Sequence, residues 1–266
     1  MWQDLNETKY FFFLLLIISL ITVMLSLGMY TMQAKKRKWK KRFIRSLIVF
    51  SLLASFCYQE YVTKDIPTQE KQDSFVLPSY NGKDIVVINN NIPYFSKQDL
   101  KQSSFEYYKP LDHLARAREA YALVGVETLP KDKRGSIGMV KPSGWHLSKY
   151  NFIDGKYLFN RCHLIAYELT GENANRENLI TGTRQLNVVM MLPYENKIAN
   201  YIKQTGNHVL YRVRPIYQKD ELLARGVLME ARSIEDGGRG ILFCVFCFNR
   251  QNGVDINYTN GENKAS

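Results

Sequence analysis

Five polar side chains between residues 161 and 195 have the chemistry needed to hydrolyse a phosphodiester bond. They are an imidazole, a guanidinium, two amides and a carboxylate: His163, Arg161, Asn178, Asn187 and Glu195. An imidazole with an ordinary pKa of about 6.5 can take a proton from water at neutral pH. A divalent cation held by an amide oxygen would polarise the phosphate and stabilise the leaving oxygen. The set indicates metal-assisted hydrolysis, although a single histidine is more often structural than catalytic.

The order of these residues is more specific than their types. Three motifs carry them, Asn160-Arg-Cys-His163, Glu177-Asn-Leu-Ile-Thr-Gly-Thr183 and Arg184-Gln-Leu-Asn187, and three others flank them, Leu111-Asp-His-Leu-Ala-Arg116, Pro142-Ser-Gly-Trp145 and Tyr211-Arg-Val-Arg-Pro215. Together they resemble the non-specific DNA/RNA endonuclease family of ββα-metal (His-metal finger) nucleases, most closely its bacterial DNA-entry and streptodornase-like branch. The resemblance covers about residues 80–260. The chain departs from the common Asp-Arg-Gly-His form of the family motif at Asn160 and Cys162.

The resemblance implies a role for each matching residue. His163 would be the general base, and Asn187 would bind Mg²⁺, with Mn²⁺ as an alternative ion. Water and phosphate oxygens would complete this oxygen-rich coordination. Asn178 would support the site, and Arg161 would contact phosphate or orient the active site. Glu195 is the candidate to orient a metal-bound water.

Further basic residues could follow a phosphate backbone, although charged strand faces are usually just solvated. The candidates are Arg134, Arg184, Arg212 and Arg214, of which Arg184 and Arg134 are the preferred substrate contacts. The expected substrate is DNA, with RNA as an alternative, cut without strong sequence preference because phosphate contacts carry no sequence information. The other histidines, His113, His146 and His208, are interpreted as structural or surface residues.

The elements that must position these residues follow from hydrophobic patterning. A short strand at 157–159, an Asn-Arg-Cys-His turn, a second strand at 179–183 and a helix to about Gln204 form a ββα unit. A strand at 84–88 precedes it, and a helix with Leu111, Leu114, Ala115, Arg118 and Ala122 on one face begins at Pro110 and ends at Gly125. Strands at 209–214, 226–232 and 241–249 form a meander, in which Cys244 and Cys247 are buried. The predicted fold class is α+β, a ββα-metal finger nuclease domain with an antiparallel sheet.

The N-terminal region has the composition of a membrane anchor. Residues 10–32 carry no charge and would span a bilayer of about 30 Å as a helix rising about 1.5 Å per residue. A basic loop at 35–45 precedes a shorter apolar segment, a probable second span at 47–62. The first 62 residues hold nine Lys or Arg and three Asp or Glu, hence +6 of the formal +11. A polar linker at 63–81 would join this anchor to the nuclease domain at 82–266.

The location of the domain depends on the second segment. By the positive-inside rule the basic loop stays in the cytoplasm, so a crossing segment places the domain outside and an interfacial helix leaves it inside. Crossing is favoured, because a free nuclease in the cytoplasm would threaten the genome; translation from Met32 would also export the domain. The expected setting is DNA uptake at the cell surface. The alternatives are a non-catalytic surface DNA receptor and an exported effector or nutritional nuclease.

Overall fold

The computed structural model describes residues 18, 20–25, 27, 36–63, 75–101 and 104–266. The chain divides into two compact units, Met1–Asp65 and Ile66–Ser266. The first unit contains helix α1 (Lys36–Thr63), which holds the basic cluster in its first half. Within the described ranges, no helix combines the length and the apolar character that a membrane crossing requires.

The structure tests only one of the two predicted membrane spans. Most of the first, residues 10–32, lies outside the described residues. The second, residues 47–62, is part of α1 and is not supported as a span. The physical reason is its length: the uncharged apolar run from Leu47 to Tyr58 is about 18 Å long at 1.5 Å per residue, short of a hydrocarbon core of about 30 Å.

The second unit is built on a six-stranded antiparallel sheet with strand order β1-β8-β7-β6-β3-β2. The strands are β1 (Ile85–Val87), β2 (Glu106–Tyr108), β3 (Ala120–Val124), β6 (Val209–Ile216), β7 (Gly226–Ser233) and β8 (Leu242–Phe248). The predicted strand near 84–88 and the predicted meander of β6, β7 and β8 are confirmed. Two short strands, β9 (Val254–Ile256) and β10 (Asn263–Ala265), form a separate hairpin.

The predicted helix between Pro110 and Gly125 is wrong. Asp112 instead closes a turn, because its Oδ1 accepts hydrogen bonds from the backbone N–H groups of Leu114 and Arg116, each at 3.0 Å. The following apolar residues form β3, which is buried on both faces and pairs with β2 and β6. Spacing that suits one face of a helix also suits a strand that is covered on both sides, and tertiary packing decided between them.

The predicted ββα unit is present. Strands β4 (Phe159–His163) and β5 (Leu179–Thr183) form a hairpin, with the short helix α2 (Tyr167–Thr170) in the connection. A π-helix (Gln185–Met191) then runs directly into helix α3 (Leu192–Thr205). The Asn-Arg-Cys-His segment is therefore strand rather than turn, and His163 is the last residue of β4.

The ββα unit packs against one face of the six-stranded sheet. The shared core contains Cys162, Ile180, Leu186, Met190 and Ile198 from the unit, and Ala122, Val209, Tyr211, Val227, Met229 and Val245 from the sheet. On the opposite face Phe95 packs against Tyr121 and Leu210. Phe75, inside the predicted linker, stacks on Phe246 with ring centroids 5.6 Å apart. The sheet is therefore the middle layer, and the candidate site lies on the side of the ββα unit.

Candidate active site

His163 is held at the end of β4 in one tautomer. Its Nε2 lies 2.8 Å from the carbonyl oxygen of Asn173, and its Nδ1 lies 3.3 Å from Nη2 of Arg134. A carbonyl oxygen only accepts hydrogen bonds, so Nε2 must carry the ring proton. Nδ1 is therefore the nitrogen with a lone pair, and it is the atom of His163 that can take a proton from water.

The surroundings of His163 keep the imidazole neutral. Burial lowers its pKa to about 4, and the positive charge of Arg134 acts in the same direction. The carbonyl of Asn173 opposes this shift by accepting from Nε2. Only 7% of the residue is exposed. At neutral pH the imidazole is consequently in the form that a general base needs.

Asn187 lies in the π-helix, with its amide held between two residues of β4. Its Nδ2 donates to Oδ1 of Asn160 at 3.0 Å, and its Oδ1 accepts from the thiol of Cys162 at 3.2 Å. Asn160 has both a donor and an acceptor, so the orientation of the Asn187 amide rests on the two contacts together, with the Cys162 thiol as the donor to Oδ1. Asn187 is half-buried.

The π-helix determines how Asn187 and Glu195 are arranged. In a regular α-helix eight residues are more than two turns, so the two side chains would diverge. The π-helix, in which the N–H of Leu192 bonds the carbonyl of Asn187, takes up about one extra residue. The separation is then close to two full turns, and both side chains face β4 and its connection to α2. Pro193, in the first turn of α3, cannot donate a backbone hydrogen bond, and this interruption falls where the π-helix already departs from the α-helical pattern.

Glu195 is a buried carboxyl with a raised pKa. It is 4% exposed, and its Oε1 accepts from the backbone N–H of Ala166 at 3.0 Å. Burial raises its pKa to about 8, and the nearby Glu168 adds to the shift. The Tyr211 hydroxyl and the charge of Arg134 act in the opposite direction. Without a cation beside it, this carboxyl is largely protonated at neutral pH.

Asn178 and Arg161 position the segments around His163. The Asn178 side chain accepts from the N–H of Ile165 and donates to its carbonyl, both at 2.9 Å, and so clamps the chain just after His163. The Arg161 guanidinium donates to the carbonyls of Gly138 and Val140, and its carbon lies 4.2 Å from the centre of the Trp145 ring. Of the two alternatives for Arg161, this geometry favours orienting the site over contacting phosphate.

The four candidate phosphate-binding arginines are placed in three different environments. Arg134 is exposed and contacts His163. Arg184 precedes the π-helix and pairs with the exposed Asp154 at 2.8 Å. By contrast, Arg212 and Arg214 both pair with the fully buried Glu230, and Arg212 itself is 4% exposed. The interpretation of Arg212 and Arg214 as substrate contacts is wrong, because β6 directs them into the opposite side of the sheet.

The donor set around Asn187 fits a water-rich magnesium ion. Among the described residues, no group of three or more His, Cys, Asp or Glu side chains could hold a metal. An amide oxygen of Asn187 and the carboxyl of Glu195, which contact β4 and the residues that follow it, match the preference of Mg²⁺ for oxygen ligands and retained waters. They do not match the thiolate and imidazole cages that bind structural zinc.

The sequence did not predict a role for several residues of the site. Asn160 and Cys162 were noted only as departures from the family motif, yet they hold the Asn187 amide. The Asn173 carbonyl sets the tautomer of His163. Tyr211 lies beside Glu195 from β6. The motif positions of Asn160 and Cys162, two residues apart on the same face of a strand, were the available signal; the others depend on long-range packing.

Comparison with known sequences shows which family the chain belongs to. The sequence model described as "DNA/RNA non-specific endonuclease" matches residues 95–235, more than half of the chain. The chain belongs to this family. The matched region contains β3, the ββα unit, β6 and β7, and hence every candidate site residue.

Individual relatives agree with membership of the family. A protein named "Deoxyribonuclease" from Streptococcus dysgalactiae subsp. equisimilis is 41% identical over 118 residues, which are 42% of this chain and 34% of that protein. The chain therefore spans about a third of that relative's length. The Sda1 nuclease, solved with a bound zinc ion, is 30% identical, with a TM-score of 0.52 and coverage of 61% of this chain and 82% of Sda1.

The fold is shared with a further streptococcal structure. NucA from Streptococcus agalactiae, solved with a magnesium ion bound, has a TM-score of 0.60 at 24% identity. The alignment covers 68% of this chain and 87% of NucA. At this identity the likeness concerns the mixed α and β architecture with its antiparallel sheet.

Proposed function

We propose that the chain is a Mg²⁺-dependent endonuclease that hydrolyses phosphodiester bonds in DNA, with His163 as general base and Asn187 as the protein ligand of the ion. The observation that carries the proposal is the state of His163. A buried, neutral imidazole with Nε2 committed to a carbonyl leaves Nδ1 as a proton acceptor. It lies in the same unit as the Asn187 amide, whose Nδ2 donates to Asn160 and whose Oδ1 accepts from the Cys162 thiol.

The chain's own residues account for binding and proton transfer. Nδ1 of His163 accepts a proton from the attacking water, and the Asn173 carbonyl stabilises the resulting imidazolium through Nε2–H. Asn178 and Arg161 hold the segments on both sides of His163, so its ring does not need to reorganise during the reaction. Arg134 and Arg184 are the proposed phosphate contacts. Glu195 is proposed to orient water, in the ionised form that a nearby cation favours.

The proposed cofactor is Mg²⁺, with Mn²⁺ as a substitute. When bound, the ion supplies charge that stabilises the developing negative charge on the phosphate and the leaving oxygen. The residues that would hold it are Asn187 directly and Glu195 through water. NucA, described with magnesium, and Sda1, described with zinc, motivate a divalent ion as the cofactor.

DNA is the proposed substrate, with RNA as the alternative. The support is the name of the streptococcal relative, "Deoxyribonuclease". The proposed location is outside the cytoplasm, at the cell surface, where a non-specific nuclease would not reach the genome. Protease added to cells stripped of their wall should then digest the domain, residues 82–266; resistance until the cells are lysed would refute this location.

A plasmid-nicking assay tests the activity and the two central residues together. We expect cleavage with magnesium and none with EDTA. His163→Ala should lower the rate by roughly 10² to 10⁴ because the base is lost, and Asn187→Ala should abolish activity at low magnesium with partial recovery at high magnesium.

The matched control is His113→Ala, which removes an exposed histidine away from the site. It should cleave like the unaltered protein. Near-normal cleavage by folded His163→Ala would exclude His163 as the base, and an unchanged magnesium dependence of Asn187→Ala would mean that another residue holds the ion. DNA binding without any cleavage would favour the surface-receptor alternative.

A further inference from the structure

The basic nitrogen of His163 is covered by a guanidinium. Nη2 of Arg134 lies 3.3 Å from Nδ1 of His163. Because Nε2 carries the ring proton and arginine has only donors, the contact is an N–H of Arg134 donating to the lone pair of Nδ1. That lone pair is the one with which His163 would accept a proton from water. In this structure the lone pair of the proposed general base is therefore occupied by a hydrogen bond from Arg134, which we call the cap.

The cap is weak compared with what Arg134 could form with an anion. The distance exceeds the usual range of about 2.7–3.2 Å for an N–H···O bond, and the acceptor is neutral. Guanidinium bonds to phosphate are charge-assisted, are often bidentate, and are roughly twice as strong as neutral hydrogen bonds. Arg134 is exposed on the segment before β4, so a phosphate can reach it from solvent.

Arg134 also lacks a competing carboxylate. In the described part of the chain no Asp or Glu forms an ion pair with it. Its charge acts on His163, Glu195 and Cys162, which places the guanidinium where these side chains converge. The strongest available partner for Arg134 would thus come from the substrate.

We infer that Arg134 is an exchangeable cap on the general base: a phosphate of the bound substrate draws its guanidinium away from His163 and so exposes Nδ1. This inference deepens the proposed function and rests on it. After the exchange, Nδ1 takes a proton from water as the water oxygen bonds to phosphorus. The bond from phosphorus to the leaving oxygen breaks, that oxygen takes a proton from solvent, and His163 later releases its own proton to solvent. Arg134 is thereby a positioning residue for the base as well as a phosphate contact.

The exchange also changes the strength of the base. In the free enzyme, burial and Arg134 both lower the pKa of His163, and the carbonyl contacts of Asn173 and Glu172 oppose them. Removing the guanidinium and adding a negative phosphate nearby both favour the imidazolium. His163 is therefore a stronger base with substrate present than without it.

The test is the Nδ1 nitrogen resonance of His163 in histidine-labelled, magnesium-loaded protein at about pH 8, well above the pKa of His163 of about 4, so that its imidazole is neutral. At this pH the resonance reports whether the lone pair accepts a hydrogen bond. The probe is thymidine 3′,5′-bisphosphate, which carries phosphates but no diester to cut. Arg134→Ala and the bisphosphate should each move the resonance in the same direction. In Arg134→Ala the bisphosphate should move it little further. Lys133→Ala, an exposed change on the same segment, should leave it in place.

The outcomes separate the cap from the nuclease function. If Arg134→Ala leaves the resonance unmoved, there is no cap. If the bisphosphate binds and the resonance does not move, the exchange is refuted while plasmid cleavage by the same sample would leave the proposed function intact. If the protein neither cleaves DNA nor binds the bisphosphate, the proposed function fails, and the exchange fails with it.

Discussion

At the scale of single residues, the orientation of one amide decides whether the site can hold a cation. The oxygen and nitrogen of Asn187 have nearly the same size, so packing alone cannot choose between them. Two contacts make the choice together, because Asn160 accepts from Nδ2 while the Cys162 thiol donates to Oδ1. An aspartate at position 160, as in the common family motif, could accept the same bond. Asparagine thus preserves the function of the motif while lowering its negative charge.

Asn160→Ala should weaken the site without removing a ligand. Loss of an orienting partner typically costs about 10- to 100-fold in metal affinity or activity. We expect the magnesium concentration for half-maximal cleavage to rise within that range, while Asn160→Asp stays near the unaltered protein. Asn151→Ala, on an exposed turn, is the control. If Asn160→Ala has an unaltered magnesium dependence, the Asn187 amide is oriented by something else.

The lowered pKa of His163 predicts an acid-tolerant enzyme. The base must be neutral, so activity is lost as the pH falls through its pKa in the free enzyme, about 4. At saturating magnesium, where the cation keeps Glu195 ionised, a plot of kcat/KM against pH should therefore keep its plateau below the ordinary histidine value of about 6.5 and fall only near pH 4. Arg134→Ala should move the acid limb to higher pH, since one of the two causes of the shift is removed. An acid limb near 6.5 in the unaltered protein would contradict the burial of His163.

At the scale of elements, the ββα unit brings the candidate site residues together because β4, its hairpin partner β5 and the π-helix pack closely against one another. The π-helix corrects the angle between Asn187 and Glu195, and π-turns recur at functional sites. Gly182 of β5 completes the fit. A β-carbon built at this position would lie 2.5 Å from Cβ and 3.1 Å from Sγ of Cys162. The absence of a side chain there lets Cys162 reach Asn187.

Gly182→Ala is predicted to disturb both stability and metal binding. The new methyl group must push Cys162 aside, and overpacking of this kind costs about 1–3 kcal/mol. We expect a lower melting temperature and a smaller stabilisation on adding magnesium. In the control Gly138→Ala, the nearest atom to the new β-carbon is the Ser136 hydroxyl oxygen at 3.7 Å, an ordinary contact. Equal melting temperatures for Gly182→Ala and the unaltered protein would show that the hairpin relaxes without cost.

At the scale of the whole second unit, the sheet has the candidate site on one face and, on the other, a structural side that holds a buried ion-pair network. On the structural side, Glu230 is fully buried and pairs with Arg212 at 3.0 Å and Arg214 at 3.2 Å. The same carboxylate accepts from the N–H of Tyr94, and Arg212 donates to the Tyr94 carbonyl. This network attaches the chain before β2 to the back of the sheet.

Glu230→Gln should destabilise the protein while leaving the chemistry of the folded enzyme unchanged. It removes the carboxylate shared by Arg212 and Arg214 and leaves Arg212 only the more distant Glu119, at 3.9 Å; breaking a buried ion pair typically costs about 3–5 kcal/mol. Chemical denaturation should show this loss, and kcat at a temperature where the variant is folded should be unaltered. Glu262→Gln, an exposed change, controls for the loss of a carboxylate. A large fall in kcat for folded Glu230→Gln would mean that the two sides of the sheet are coupled.

The sequence by itself determined the features that depend on local pattern. The alternation of β6 and the apolar runs of β7 and β8 predicted the meander, because side chains in a strand alternate between faces. The ordered motifs around His163 and Asn187 predicted the ββα unit and the family. Local pattern failed at β3, where an apolar run buried on both faces is compatible with helix and strand alike.

Only the tertiary structure decided which polar groups meet. Arg134 and His163 are 29 positions apart, and Glu195 is 29 positions from the backbone N–H that it binds. Strand alternation predicted which face of β6 carries Arg212, but not whether that face is exposed to solvent. The packing of the chain before β2 against this face buries it. The π-helix has no pattern of its own in the sequence. Its geometry follows from the fit of Asn187 against β4, and this fit exists only once hairpin, helix and sheet are assembled.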